Sequence, residues 1–182
     1  MRLKSERILL RKMEEKDIEY YNKWSNDFDV VENTYLNLDA MSIDDTKQFF
    51  HRISTSTNAK TFIIESITDS TPIGITSLIS IDSYNRNAEF IIDIGDKSFW
   101  GKGIGREATT MILDYAFKEL NLHRIYLRVF TFNERAINLY RTIGFIEEGV
   151  AREALFRFGK WHGIVSMSIL QEEYLRKVLS KA

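Results

Sequence analysis

The period of apolar and polar positions changes several times along the chain, and each change predicts an element. Ile8-Leu9-Leu10, between the charged Arg7 and Arg11, reads as a first strand over 7–13. Ile18, Tyr21 and Trp24 then recur at helical spacing, with Asp17 placed to N-cap them. Residues 26–40 show no period and are expected to be irregular. Ser42, Asp44 or Asp45 can open a further helix that carries Phe49, Phe50 and Ile53. The polar stretch 54–60 reads as a loop. Strands follow over 61–66, 73–81 and 88–94, with turns at Thr68-Asp69-Ser70-Thr71-Pro72 and at residues 82–87. Spacing this close predicts antiparallel neighbours joined by hairpins.

From residue 95 the pattern shifts. Residues 95–103 form a glycine-bearing loop. Ile104, Ala108, Met111, Ile112, Tyr115 and Ala116 then keep helical spacing to about Leu120. Asn121-Leu122-His123 ends that run, and Ile125, Leu127 and Val129 alternate over 124–130. Strand, loop, helix and strand in this order make a parallel crossover. Asn133 can cap a helix with Ala136, Tyr140 and Ile143 in register, and Gly144 is a suitable stop. Strands are expected over 145–150 and near 163–170, then an exposed helical tail over 171–181. The sum is an α/β (α+β) fold: antiparallel strands, one parallel crossover, then a C-terminal helix and strands.

Composition narrows the class. A length of 182 residues suits a single domain over 1–182 with a real core. Apolar residues at 44% and charged residues at 28% are the mix of a soluble globular protein. One proline and no low-complexity run argue against a linker. The absence of cysteine excludes a disulfide framework, a thiolate metal site and a cysteine nucleophile. The apolar run at 8–10 is too short for a signal peptide or a membrane span, so a cytoplasmic protein with no membrane partner is expected. His51, His123 and His162 have no metal-ligand spacing, so no metal site is expected. A net charge of −1 gives no global signal for nucleic acid. The charge is unevenly spread, however. Residues 14–45 hold ten acids against Lys16 and Lys23. That segment is either a solvated surface with acids near helix N-termini or a lure for a cationic ligand.

Trp100-Gly101-Lys102-Gly103-Ile104-Gly105-Arg106 lies between a strand and a helix. Glycines let the backbone approach a ligand, the helix adds its positive end, and Lys102 and Arg106 add full charges. Together they describe a cradle for phosphate oxygens. A Walker A loop is excluded, because no Gly-Lys pair is followed by Ser or Thr. The dinucleotide fingerprint matches locally as Gly103-x-Gly105-x-x-Ala108. It follows several hairpin strands, however, and the next strand ends in Phe130-Thr131-Phe132 with no acid for a ribose. A purely structural loop is the remaining alternative.

Gly101-Lys102-Gly103-Ile104-Gly105 resembles the Q/R-x-x-G-x-G/A loop of the GNAT family of N-acetyltransferases. Asn133-Glu134-Arg135-Ala136-Ile137-Asn138-Leu139-Tyr140-Arg141-Thr142-Ile143-Gly144-Phe145 resembles its second signature, N-x-x-A-x-x-x-Y-x-x-x-G-F. Ala88-Glu89-Phe90 resembles the start of its fourth strand. The likeness spans about residues 7–175. Trp100 before the first glycine is similar to the subgroup of ribosomal-protein N-terminal acetyltransferases. Leu120-Asn121-Leu122-His123 and Gly144-Phe145 are similar to spermidine acetyltransferases, whose acidic polyamine-binding segment is not matched residue for residue. The slot of the motif's leading Q/R holds Ser98 or Phe99, which leaves Lys97 or Lys102 to take over its role.

The resemblance implies a mixed, mostly antiparallel sheet, splayed at an acetyl-CoA site and flanked by helices. It implies acetyl transfer from acetyl-CoA to an amine, with no metal. The pantetheine arm would lie along Ile92, Asp93 and Ile94, where the Ile94 N–H would hold the oxyanion. The pyrophosphate would sit on Lys102, Gly103, Ile104, Gly105 and Arg106. Asn133, Asn138 and Arg141 would contact the cofactor. Tyr140 would protonate the leaving thiolate, and Glu89 would act as general base. By periodicity alone Tyr140 is a core aromatic, and Glu89 is equally readable as an outward strand acid. The acceptor would be set by residues 17–60. A protein N-terminal amine is the first expectation, with a polyamine, aminoglycoside or amino sugar as alternatives. A CoA-binding regulatory module and a dinucleotide-dependent oxidoreductase are the rival classes. A homodimer or higher homo-oligomer is the family's habit.

Overall fold

The computed structural model describes residues 3–179. Seven strands build one sheet: β1 (Ile8–Arg11), β2 (Lys60–Ser66), β3 (Pro72–Asp82), β4 (Asn87–Asp93), β5 (Arg124–Phe130), β6 (Ile146–Arg157) and β7 (Lys160–Leu170). Their order is β1-β2-β3-β4-β5-β7-β6. All neighbours are antiparallel except β4 and β5, which are parallel. β3 sits at the middle of the N-terminal half, and its residues 72–78 are all buried. That is why Ile73-Gly74-Ile75 reads as a run and not as an alternation.

Among the described residues, six α-helices cover the sheet: α1 (Ile18–Ser25), α2 (Phe28–Val31), α3 (Ile43–Thr55), α4 (Ile104–Asp114), α5 (Glu134–Ile143) and α6 (Gln171–Leu179). The neighbours Ile63 and Ile64 belong to different core clusters, so those clusters lie on opposite faces of β2. Ile64, Leu78, Phe90, Ile112, Leu127 and Met167 share the larger one with α4, α5 and α6. Ile63 and Ile75 share the smaller with Tyr21 and Trp24 of α1 and Phe49, Phe50 and Ile53 of α3.

The structure departs from the pattern in a few places. Asp17 does not cap α1 with its side chain. It turns back to accept from the Glu14 N–H at 2.8 Å and from both Arg11 Nη atoms at 2.7 and 2.8 Å. Ser42 does cap α3, reciprocally with Asp45. Residues 26–40 contain the one-turn helix α2. The α4 periodicity does reach Leu120, but its last turn widens to a π-turn over Tyr115–Glu119.

β6 and β7 run well beyond the expected limits. Polar Arg152 and Glu153 hid the pattern, because the register slips between Ala151 and Leu155 and Glu153 has φ 51°. Phe158 (φ 53°) and Gly159 (φ 74°) close that hairpin as a two-residue turn. α6 is anchored and not simply exposed: Tyr174 is buried, and its hydroxyl donates to Thr110 O at 3.2 Å. Residues 180 and 181 of the expected tail lie outside the described residues.

Candidate active site

Pairing between β4 and β5 covers only Asn87, Ala88 and Glu89 against Arg124, Ile125 and Tyr126. Each strand continues four residues further, to Asp93 and Phe130. Between these diverging ends opens a cleft of about 1210 Å³. It is lined by the end of β4, the loop at 100–106, the end of β5, the first turns of α5 and residues 29–37.

The loop is built by local chemistry. Asp96 accepts from the Ser98 N–H at 2.9 Å and starts a 3-10 turn over Lys97–Phe99. Trp100 Nε1 donates to Ile94 O at 2.8 Å, which ties the loop to the strand end. Gly101 (φ 75°) and Gly103 (φ 82°) are left-handed, and Gly103 is the N-cap of α4. Space is not the constraint: a Cβ at Gly103 would meet only Arg7 Nη2 at 3.6 Å. The conformation itself demands glycine. Gly95 is the opposite case, since a Cβ there would lie 2.1 Å from Trp24 Cδ2.

The structure brings most of the expected site residues to this cleft. Glu89, Ile92, Asp93, Ile94, Gly103, Ile104, Gly105, Arg106, Asn133, Asn138 and Tyr140 all line it. Lys102 and Arg141 lie outside the lining. The Lys102 carbonyl accepts from Arg7 Nη1 at 2.8 Å, and its Nζ stands 5.5 Å from the Phe99 ring centroid. Arg141 pairs with Glu147 and donates to Asn138 Oδ1 at 3.2 Å. Lys97 turns away to Asp27 and Asp29, at 2.8 and 2.7 Å. It therefore does not stand in for the motif's leading Q/R. Asn133 is already engaged: its Oδ1 accepts from the Ala136 N–H at 3.1 Å, and its Nδ2 donates to Asn33 O at 3.3 Å.

Two predicted catalytic groups differ in their freedom. Tyr140 is buried, wedged edge-on against Phe90, and its hydroxyl bonds no described residue. Burial, and then the charge of Asp93, push that hydroxyl's pKa up, so it stays protonated at neutral pH. Glu89 is buried too, but its Oε1 accepts from Arg128 Nε at 2.8 Å.

Several cleft residues escaped the sequence. Arg128 pairs with Glu89, and Arg135 stands 6.0 Å from the Trp100 ring centroid. Residues 29–37 reach the cleft because the buried Arg157 donates to Glu32 O and Tyr35 O, both at 2.8 Å. These partners lie more than 120 residues apart, and no local pattern announces them. Arg128 could have been found from the alternation of β5, which points it away from Leu127 and Val129. The acids of residues 14–45 are mostly bound elsewhere: Asp17 to Arg11, Glu14 to Lys16, Asp44 to Lys47 and Asp45 to Ser42. Of the ten, only Asp29 lines the cleft. Among the described residues there is no group of three or more side chains placed to hold a metal ion, and no helix is long and apolar enough to cross a membrane.

Comparison with known proteins agrees with this geometry. The acetyltransferase (GNAT) domain model matches residues 7–146. A spermidine N(1)-acetyltransferase of Vibrio cholerae is 32% identical over 93% of this chain and 96% of its own length. A putative ribosomal N-acetyltransferase of Bacillus subtilis, YdaF, is 39% identical over 58% of this chain and 57% of its own. The crystal structure of the Vibrio cholerae spermidine N-acetyltransferase in complex with CoA and spermine superposes with a TM-score of 0.87. It covers 94% of this chain and 99% of that one at 32% identity.

Proposed function

The chain belongs to the GNAT acetyltransferase family and is an acetyl-CoA-dependent N-acetyltransferase, and from that premise we propose that its acceptor is a primary amine of a polyamine. The observation that carries the polyamine reading is similarity to spermidine acetyltransferases along almost the whole of both chains. The similarity to the ribosomal N-acetyltransferase covers little more than half of each. This reverses the sequence expectation, which put a protein N-terminal amine first. The cleft can also receive an ammonium: of the carboxylates that line it, Asp29 pairs with Lys97 and Glu89 with Arg128, whereas Asp93 Oδ1 has no hydrogen-bond partner.

In this reading the donor's pyrophosphate rests on the N–H groups of Gly103, Ile104 and Gly105 at the start of α4, with Arg106 beside them. The pantetheine arm follows Ile92 to Ile94 into the splay between β4 and β5. An N–H at the strand end, that of Ile94, steadies the oxyanion. Tyr140 protonates the departing thiolate, and a cleft carboxylate takes the proton from the amine. A cytoplasmic site of action fits a reaction that draws on acetyl-CoA.

Release of free CoA thiol tests the acceptor directly. Spermidine, spermine, aminoglycosides, amino sugars and N-terminal peptides are compared at equal concentration. Polyamines should give the highest kcat/KM. Faster turnover of any other class, or no thiol release above hydrolysis with polyamines, would overturn the assignment.

A further inference from the structure

We propose that Asp93, and not Glu89, is the general base that deprotonates the acceptor ammonium. The inference rests on amine acetylation at this cleft and holds whichever amine is the acceptor. Asp93 is the last residue of β4, where the parallel pairing has already ended, and it lines the cleft. Its Oδ1 is shut off from bulk solvent and meets no hydrogen-bond partner. A buried, unpartnered carboxylate oxygen is costly in a folded protein, and it asks for a ligand that donates to it. Glu89, by contrast, already holds the Arg128 guanidinium at 2.8 Å.

The surroundings suit a proton acceptor. Tyr21 of α1, Tyr35 of the segment after α2 and Tyr140 of α5 all feel the charge of Asp93. Thr34, on that same segment, is the polar neighbour that lowers the Asp93 pKa, and the Thr34 hydroxyl donates to Val30 O at 3.4 Å. Among the described residues, the titratable groups that interact with Asp93 are these three phenols, with no cation among them, and its β3 neighbour in register is Ile75. Burial pushes Asp93 up to about 6, against Thr34, which pulls it down. A base with that value is mostly ionised at neutral pH, yet strong enough to take a proton.

The step balances. The Asp93 carboxylate takes one proton from R-NH3+, which frees the nitrogen lone pair. The pair forms the N–C bond to the thioester carbonyl carbon, and the C=O π pair moves to oxygen. The C=O bond then re-forms as the C–S bond breaks. Sulfur takes the Tyr140 hydroxyl proton, and the resulting phenolate takes the second proton from nitrogen. The sum is ammonium plus acetyl-CoA giving amide, CoA thiol and one proton, which Asp93 releases to water.

The test is Asp93→Asn beside Glu89→Gln, with kcat and KM followed from pH 5 to 9. Asp93→Asn should lower kcat by roughly 10²-fold or more while the acetyl-CoA KM stays within about twofold. The wild-type kcat/KM should rise through an acidic limb near pH 6, because only ionised Asp93 accepts a proton. That limb should vanish in Asp93→Asn and persist in Glu89→Gln. A limb that survives in Asp93→Asn, or a loss confined to the amine KM, would overturn the base role. If polyamines are not acetylated, the same profiles are taken with whichever amine of the panel is. An arm without any acceptor uses 13C-carboxyl NMR on the whole protein. One aspartate should titrate near pH 6 in the wild type and be missing from Asp93→Asn; no such signal would equally sink the proposal.

Discussion

The donor side of the cleft and the acidic segment at 14–45 both looked functional in the sequence, and the structure treats them in opposite ways. On the donor side, chemistry resides in the backbone: left-handed Gly101 and Gly103, the start of α4 and the free end of β4. In the acidic segment, chemistry resides in side chains that the fold has already claimed. Asp17 is bound by Arg11, Asp27 and Asp29 by Lys97, and Asp45 by the Ser42 cap. A glycine's conformational role is fixed by its neighbours in sequence. A carboxylate's role depends on which cation the tertiary fold sets beside it. Net charge over a segment is therefore poor evidence for a ligand until its partners are known.

The contrast is broken or sharpened by substitutions on each side, in order of their effect on turnover. Gly103→Val should have the largest. A β-branched residue at φ 82° forces the loop to refold, and calorimetry should show acetyl-CoA binding lost beyond detection. Unchanged affinity would mean the cradle is not what holds the donor. Tyr140→Phe keeps the packing on Phe90 and Phe145 and removes only the hydroxyl. Turnover should fall by about 10²-fold with acetyl-CoA affinity unchanged. A variant with normal turnover would take Tyr140 out of the proton path.

Asp17→Asn, on the acidic side, should leave kcat unaltered and cost about 2 kcal/mol of stability, because it removes charge-assisted hydrogen bonds at a buried site. Burial alone would raise the Asp17 pKa. Hydrogen bonds from Arg11 and the Glu14 N–H, with the Arg11 charge, outweigh it and hold Asp17 below the ordinary carboxylate value. A depressed folded pKa contributes stability above the unfolded value, and that contribution is lost as pH falls through the folded one. Denaturation curves should therefore show the wild type losing its advantage over Asp17→Asn in acid. A loss of turnover in folded Asp17→Asn would return the acidic segment to the active site.

Strand, turn and helix positions were legible wherever period and punctuation agreed. Asn133 and Gly144 bracket α5 as capping chemistry requires, and the alternation at Ile125, Leu127 and Val129 marks β5. The pattern failed at β6, where a register slip at Arg152 and Glu153 breaks the alternation, and at α2, a single turn too short to show a period. The site divides similarly. Eleven of the residues singled out by motif line the cleft, whereas Arg128, Arg135, Thr34 and Tyr35 had no signature. They reach the site through contacts between segments remote in the chain.

By itself, the sequence placed a phosphate cradle at residues 100–106, because glycines before a helix are a local requirement, and its resemblance to the GNAT signatures, that of residues 133–145 among them, named acetyl-CoA as the donor. The tertiary structure decided which carboxylates are free. Glu89 and Asp93 stand four residues apart on one strand and are chemically alike, yet one meets Arg128 and the other only phenols and a threonine. Ionisation depends on distance through space and on exclusion of water, and neither is written in the order of residues.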